Sequence, residues 1–352
     1  MRYAQSVTHL SYNNFKSKVT STKRCATMKK LQFLTTLAAV LWLGAYAYAI
    51  DTNLSPYKPR SSVSGTLKSI GSDTMLHEMQ LWADGFKKIY PAVDITIEGK
   101  GSNTAPPALL SGDSQLAPMS RQMTPDETKD FISKFGYKPT GVLVAIDALA
   151  IYVHKDNPVK CLTRSQLDKI FSAEPQSEGG LSIKTWGDLG AEGEWATKPI
   201  SLYGRNSLSG TNKFFRTKVL SGHDFKSALS VKDGSFEVVS SIESDPASIG
   251  YSGIGFKKDG VKTLEIAETS GGKCYDPSFE ATYTHKYPLA RGLYVYLLKD
   301  PKAPIDSLSG EFVKYILSSD GQAQAKNGGY YPITKNIREH ELTRLGLLAS
   351  AE

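Results

Sequence analysis

The sequence predicts an α/β protein with mainly parallel sheets and helices on both faces. Three observations carry this. Short alternating or apolar runs are followed by longer segments with helical spacing. One run, VLVAIDALAIYVH at 142–154, is apolar enough for a strand, or a strand pair, in the middle of a sheet. Glycine with serine or threonine recurs where strands pass into helices.

The elements follow in order. After a Pro/Ser-rich linker, residues 65–70 read as a strand. Residues 73–90 read as a helix whose apolar face is Met75, Met79, Leu81, Trp82, Phe86 and Ile89. VDITIE at 93–98 alternates like a strand, 104–110 is a short helix, and 115–120 is a strand. TPDE at 124–127 opens a helix with proline in its first turn. Beyond the long apolar run, helices are expected at 162–171, 211–220 and 236–243, and strands at 200–203, 249–252 and 263–266. YPLARGLYVYLL at 287–298 is a further strand, and helices at 307–317 and 320–327 close the chain.

With 352 residues, the chain has room for two ordinary domains. Its formal charge of +7 is confined to the leader: residues 1–49 hold seven Lys or Arg and no acid, leaving 35 basic against 35 acidic residues. That removes the electrostatic case for a nucleic-acid partner. The leader reads as a secretory signal. Met28-Lys29-Lys30 is a basic start, LQFLTTLAAVLWL an apolar core of 13 residues, and Ala47-Tyr48-Ala49 a cleavage site, with cutting expected after Ala49. The core is shorter than the roughly 20 residues of a membrane span, although an uncleaved anchor is the competing reading. Met28 is a second candidate start. Of the three cysteines, Cys25 lies in the leader, while Cys161 and Cys274 are either a disulfide or two free thiols.

Three loops share one chemistry: GSDTM from Gly71, GKGSNTAPP from Gly99, and GRNSLSGT from Gly204. Each sets Gly beside Ser or Thr at a helix entry, where unbonded N–H groups and the helix dipole favour an anion. Arg205 adds a planar fork, and MSRQM supplies Ser120 and Arg121 at a strand end. Taken singly, each Ser or Thr is accounted for as a helix cap, and Arg121 as a salt-bridge partner. Four such loops with two arginines favour an oxyanion seat. P-loop, HExxH and GxSxG patterns are absent, and the six histidines have no metal spacing. Neither an enzyme nor a cofactor is therefore indicated.

The succession GSDTM, GKGSNTAPPALLSG, PMSRQM, YGRNSLSGT, IGYSGIGF and YPLARGLYVY resembles the exported phosphate-binding proteins that feed ABC-type phosphate uptake systems, over roughly residues 65–332. The resemblance implies a two-lobed periplasmic binding protein fold of type II with a hinge of two crossing segments. Residues 1–49 would be the leader, 50–64 a linker, 65–154 with 286–345 the terminal lobe, and 155–285 the central lobe. It implies a periplasmic monomer that holds inorganic phosphate in the cleft and passes it to a membrane-embedded permease. Carried residue by residue, the phosphate ligands fall on Thr74, Met75, Ser102, Arg205, Ser209, Gly210 and Thr211, to which Arg121 is added for charge. One departure stands out. Well-known members carry an Asp after the second loop that accepts a hydrogen bond from protonated phosphate, and this chain has Ser120-Arg121 there. Asp73 is the candidate replacement acceptor, or an N-cap. The competing functional readings are a binding protein for sulfate or molybdate and a secreted phosphatase.

Overall fold

The computed structural model describes residues 52–59, 61–177 and 179–348. The signal-like leader and its cleavage site lie outside them.

Nine strands form one mixed sheet in the order β2-β1-β3-β11-β4-β8-β6-β7, with β9 also on β4. These are β1 (Gly65–Ile70), β2 (Val93–Glu98), β3 (Leu116–Met119), β4 (Thr140–His154), β6 (Ser201–Arg205), β7 (Ser230–Lys232), β8 (Ser248–Gly253), β9 (Val261–Thr263) and β11 (Ala290–Leu297). β5 (Cys161–Thr163) and β10 (Glu265–Ala267) make a separate parallel pair. Parallel pairs occupy the two ends of the large sheet, β1 with β2 and β3, and β6 with β7 and β8. The middle is antiparallel: β11 meets β3 and β4, and β4 meets β8.

β4 explains this layout. It is one strand of 15 residues, not two. Its first part, through Ala148, pairs with β11, and from Leu149 it pairs with β8. Two apolar cores form beside it. Val142, Val144 and Ala145 enter a core with Leu67, Trp82, Phe86, Val295 and Phe312. Leu149, Ile151 and Val153 enter another with Phe171, Trp186, Phe215, Tyr251 and Leu289. A strand buried over nearly its whole length has no alternation to show, which is why its sequence reads as a continuous apolar run.

The helices are α1 (Leu76–Ile89), α2 (Ala105–Ser111), α3 (Pro125–Phe135), α4 (Arg164–Phe171), α5 (Gly210–Lys218), α6 (Ser235–Ser244), α7 (Phe279–Tyr283), α8 (Ser307–Ile316), α9 (Ser319–Asn327) and α10 (Lys335–Leu345). α10 is not anticipated by hydrophobic spacing, because KNIREHELTRL buries only Glu341, Leu342 and Leu345. Its capping signals are nevertheless in the sequence. The Thr334 side chain accepts from the Ile337 amide, and Gly346 takes the left-handed conformation beyond the last turn. The run expected as one strand at 263–266 is split at Leu264: its start pairs with β4 and its end with β5. Alternation alone cannot reveal such a change of partner. Cys161 and Cys274 are bonded, with Cα atoms 6.2 Å apart, and tie β5 to the segment after β10.

Glu78, in the first turn of α1, is fully buried and neither carboxyl oxygen has a hydrogen-bond partner among the described residues. Burial raises its pKa to about 8. The unfolded chain releases this proton at a lower pH than the native protein does. The native state is therefore favoured at low pH, and that advantage is lost as pH rises toward 8. Glu78→Gln is expected to flatten this dependence and to stabilise the protein at pH 8.5 by several kcal/mol, on the order of 3 to 4. Urea unfolding of both proteins at pH 5.0 and 8.5 is the check, and equal slopes in the two proteins would refute it.

Candidate functional site: three loops meeting at a hydroxyl cluster

The first loop leaves β1 at Ile70 and enters α1. The Gly71 and Ser72 amides donate to Glu98 and Pro118 carbonyls, and the Gly101 amide donates to the Gly71 carbonyl. The first two loops are thereby held as one body. Gly101 has φ +121°, and a Cβ there would lie 2.3 Å from the Leu208 carbonyl oxygen. Only glycine lets the third loop come this close. The Asn103 amide donates to Leu208 O at 3.0 Å, and Asn103 Nδ2 donates to Ser207 O at 2.8 Å. The third loop is thus seated directly on the second.

Behind the third loop stands an aromatic pillar. Phe215 and Tyr251 stack at 4.2 Å, and Phe171 and Phe225 pack against them. The Tyr251 hydroxyl accepts from the Arg205 amide at 3.3 Å, so the pillar sets the height of the arginine's backbone. On the other side, the Tyr330 hydroxyl donates to the Thr74 carbonyl at 2.6 Å.

This framework gathers buried hydroxyls. Thr74 Oγ1 and Thr211 Oγ1 are 2.9 Å apart. Ser102 Oγ lies 3.3 Å from Ser120 Oγ and accepts from the Ser120 amide. Gly210, which precedes Thr211 in the chain, packs against the serine pair: a Cβ on it would sit 2.2 Å from Ser102 Oγ and 2.8 Å from Ser120 Oγ. Gly210 and Thr211 are the first residues of α5, where amides lack intrahelical acceptors. Ser209 is the N-cap of that helix, its Oγ accepting from the Thr211 and Asn212 amides. Met75 is fully buried at the N-cap of α1 and offers no side-chain cap. Ser209 is thus a helix cap by its lone pairs, while its own hydroxyl proton stays available to an anion.

Arg205 is 1% exposed. Its Nη1 donates to Asp73 Oδ2 at 2.7 Å and to Ser235 Oγ, and its Nη2 donates to Asp233 O at 2.7 Å. Asp73 does not cap α1. Oδ2 instead also accepts from the Ser235 amide and hydroxyl, which binds the first loop to the start of α6. Arg121 is buried as well, with its guanidinium paired to both Glu127 oxygens and to Asn103 Oδ1. Burial pushes the Glu127 carboxyl up, but Arg121 and the Thr124 amide outweigh it and hold the group below its ordinary value. Arg121 thus reaches the cluster through Asn103, the residue after Ser102.

Sequence reasoning missed Arg291 and Asp147. Arg291 Nη1 donates to Thr211 Oγ1 at 2.9 Å, and its Nε donates to Asp147 Oδ2 at 2.8 Å. Asp147 Oδ1 accepts from the Ile254 amide at 3.0 Å. Burial pushes the Asp147 carboxyl up against the pull of Arg291. The signal was present as two singletons: one acid inside VLVAIDALAIYVH and one cation inside YPLARGLYVY. Charges in strands of that kind need each other. Because Arg291 donates to Thr211, one Thr211 lone pair is occupied, and its own proton is free to point elsewhere.

Among the described residues no group of three or more His, Cys, Asp or Glu is placed to hold a metal ion. The chain matches the family model of the PBP superfamily domain over residues 58–320. It is 45% identical over 314 residues to the phosphate-binding protein PstS of Pseudomonas aeruginosa, covering 89% of this chain and 97% of that protein. It belongs to the PstS family. Within the family, the PstS of Staphylococcus epidermidis is 29% identical over 90% of this chain and 94% of its own length. A phosphate-bound structure of a phosphate ABC transporter substrate-binding protein from Clostridium perfringens superposes with a TM-score of 0.64 at 25% identity, over 76% of this chain and 100% of that one. An ABC-type phosphate transport receptor from Vibrio cholerae shares the fold, with a TM-score of 0.60 at 22% identity over 75% and 99% of the two chains.

Proposed function

We propose that this protein captures inorganic phosphate between two lobes and delivers it to a membrane-embedded ABC permease, without chemistry of its own. The observation that carries the reading is the convergence of Thr74, Ser102, Ser120, Gly210 and Thr211, brought from four separate stretches of chain into one buried cluster. The proposed ligands are the hydroxyls of Thr74, Ser102, Ser209 and Thr211, the amide of Gly210 and, once released from the Ser72 carbonyl, that of Met75, with Arg205 and Arg121 adding guanidinium donors beside their carboxylate partners. Residues 65–154 with 286–345 would form one lobe and 155–285 the other; two separate cores support two lobes, while Leu149, Ile151, Val153 and Leu289 pack in the second core and shift the crossover to about Asp147 and Leu289. A ligand bonded to loops of both lobes favours the closed arrangement. We place the protein outside the cytoplasmic membrane as a monomer. Among the described residues no helix is long and apolar enough to cross a membrane.

Hydroxyls can accept as well as donate, and monohydrogen phosphate has a proton to give where sulfate has none. Calorimetry is expected to show one phosphate per chain, undisturbed by a hundredfold excess of sulfate. Equal competition by sulfate would make this a general oxyanion binder, and hydrolysis of a phosphate ester would revive the phosphatase reading.

A further inference from the structure

Beside the hydroxyl cluster lies an open cleft of about 370 Å³. It is lined by Arg121, Lys213, Lys218 and Arg291 together with Phe214 and Tyr294, and among the described residues no carboxylate lines it. Its floor, Arg121 and Arg291, adjoins the cluster. Arg291 donates to Thr211, and Arg121 follows Ser120 directly in the chain. One wall is a side of α5, where Lys213 and Thr217, and Phe214 and Lys218, stand one turn apart. The same helix opens at Gly210 and Thr211, so one element spans the cleft and the cluster.

The four cations are not equivalent. Arg121 is paired with Glu127 and Arg291 with Asp147, as Arg205 is with Asp73. Each guanidinium around the cluster is therefore already balanced. Lys213 and Lys218 are exposed and have no ion pair among the described residues. The uncompensated positive charge stands in the cleft, above a floor of buried donors. Arg121 Nε in that floor is buried and has no hydrogen-bond partner among the described residues. A concave surface of one sign concentrates field and local counter-ion.

We propose that this cleft is the entrance through which a divalent oxyanion is drawn to the hydroxyl cluster, with Lys213 and Lys218 acting on arrival and not on retention. This rests on the oxyanion-binding reading above. The cleft's volume well exceeds that of one tetrahedral ion, which leaves room for the ion to enter with its water before exchanging it for hydroxyls.

The test compares the full chain with Lys213→Gln/Lys218→Gln and with the charge-conserving Lys213→Arg/Lys218→Arg. Equilibrium dialysis with labelled phosphate gives Kd, chase with unlabelled phosphate gives koff, and their ratio gives kon. At 20 mM salt the Gln pair is expected to lower kon roughly five- to tenfold with koff unchanged. The Arg pair should behave as the native protein, and at 500 mM salt the difference should vanish. An unchanged kon at low salt, or a change carried in koff, would overturn the entrance and leave phosphate binding standing. If the native chain prefers sulfate or molybdate, the same comparison with that ion decides. If it binds no oxyanion, both readings fall.

Discussion

Replacing Arg205 with alanine is expected to weaken phosphate binding at least a hundredfold, close to 3 kcal/mol. The expectation follows from what the side chain joins. It bonds Asp73 in the first loop, Ser235 at the start of α6 and the Asp233 carbonyl, all from the end of β6. Truncation leaves the Asp73 carboxylate with Ser235 alone, and a negative charge then stands beside Thr74 without its cation. Charge-assisted bonds of this kind are each worth roughly 1.5 to 3 kcal/mol. Arg205→Lys keeps the charge but loses the fork, and should fall between the two. Calorimetry on folded protein is the check, with unchanged affinity in the alanine variant counting decisively against the proposed site.

The second large effect concerns stability. Asp147→Ala strands the Arg291 guanidinium in the interior and is expected to cost about 3 to 5 kcal/mol. The loss should appear as a lower urea midpoint. The double variant Asp147→Leu/Arg291→Met removes both charges and is expected to recover most of that stability. It should not recover phosphate affinity, because Thr211 Oγ1 no longer accepts from Arg291. Two outcomes in one pair of variants separate folding from binding. Native-like affinity in the double variant would show that the Arg291 contact does not matter to the anion.

These two cases also show where the sequence was legible. Thr74, Ser102 and Thr211 could be read because a Gly-Ser/Thr step at a helix entry is local: its meaning lies within five or six residues. Arg205 could be read as charged and loop-borne, but not as the partner of Asp73, which lies 132 positions away. Asp73 itself was ambiguous for the same reason. A cap is satisfied by its own helix, and nothing in GSDTM says that Ser235 will be nearer. Most elements were legible from spacing, and the exceptions have physical causes. α10 buries too little to make a stripe. The segment around Leu264 changes partner in mid-run, and pairing is a tertiary choice.

The sheet order has a temporal meaning. β11 lies between β3 and β4, although 135 residues lie between the end of β4 and the start of β11 in the chain. During synthesis, β1 to β4 emerge long before the strand that must sit among them, and the core around Trp82 and Phe86 also waits for Phe312. The early half of the nascent chain therefore has an unfilled slot until β11 has been made. The native order of the sheet cannot be completed before that strand is made, and pairing across so long a stretch of chain is slow to form.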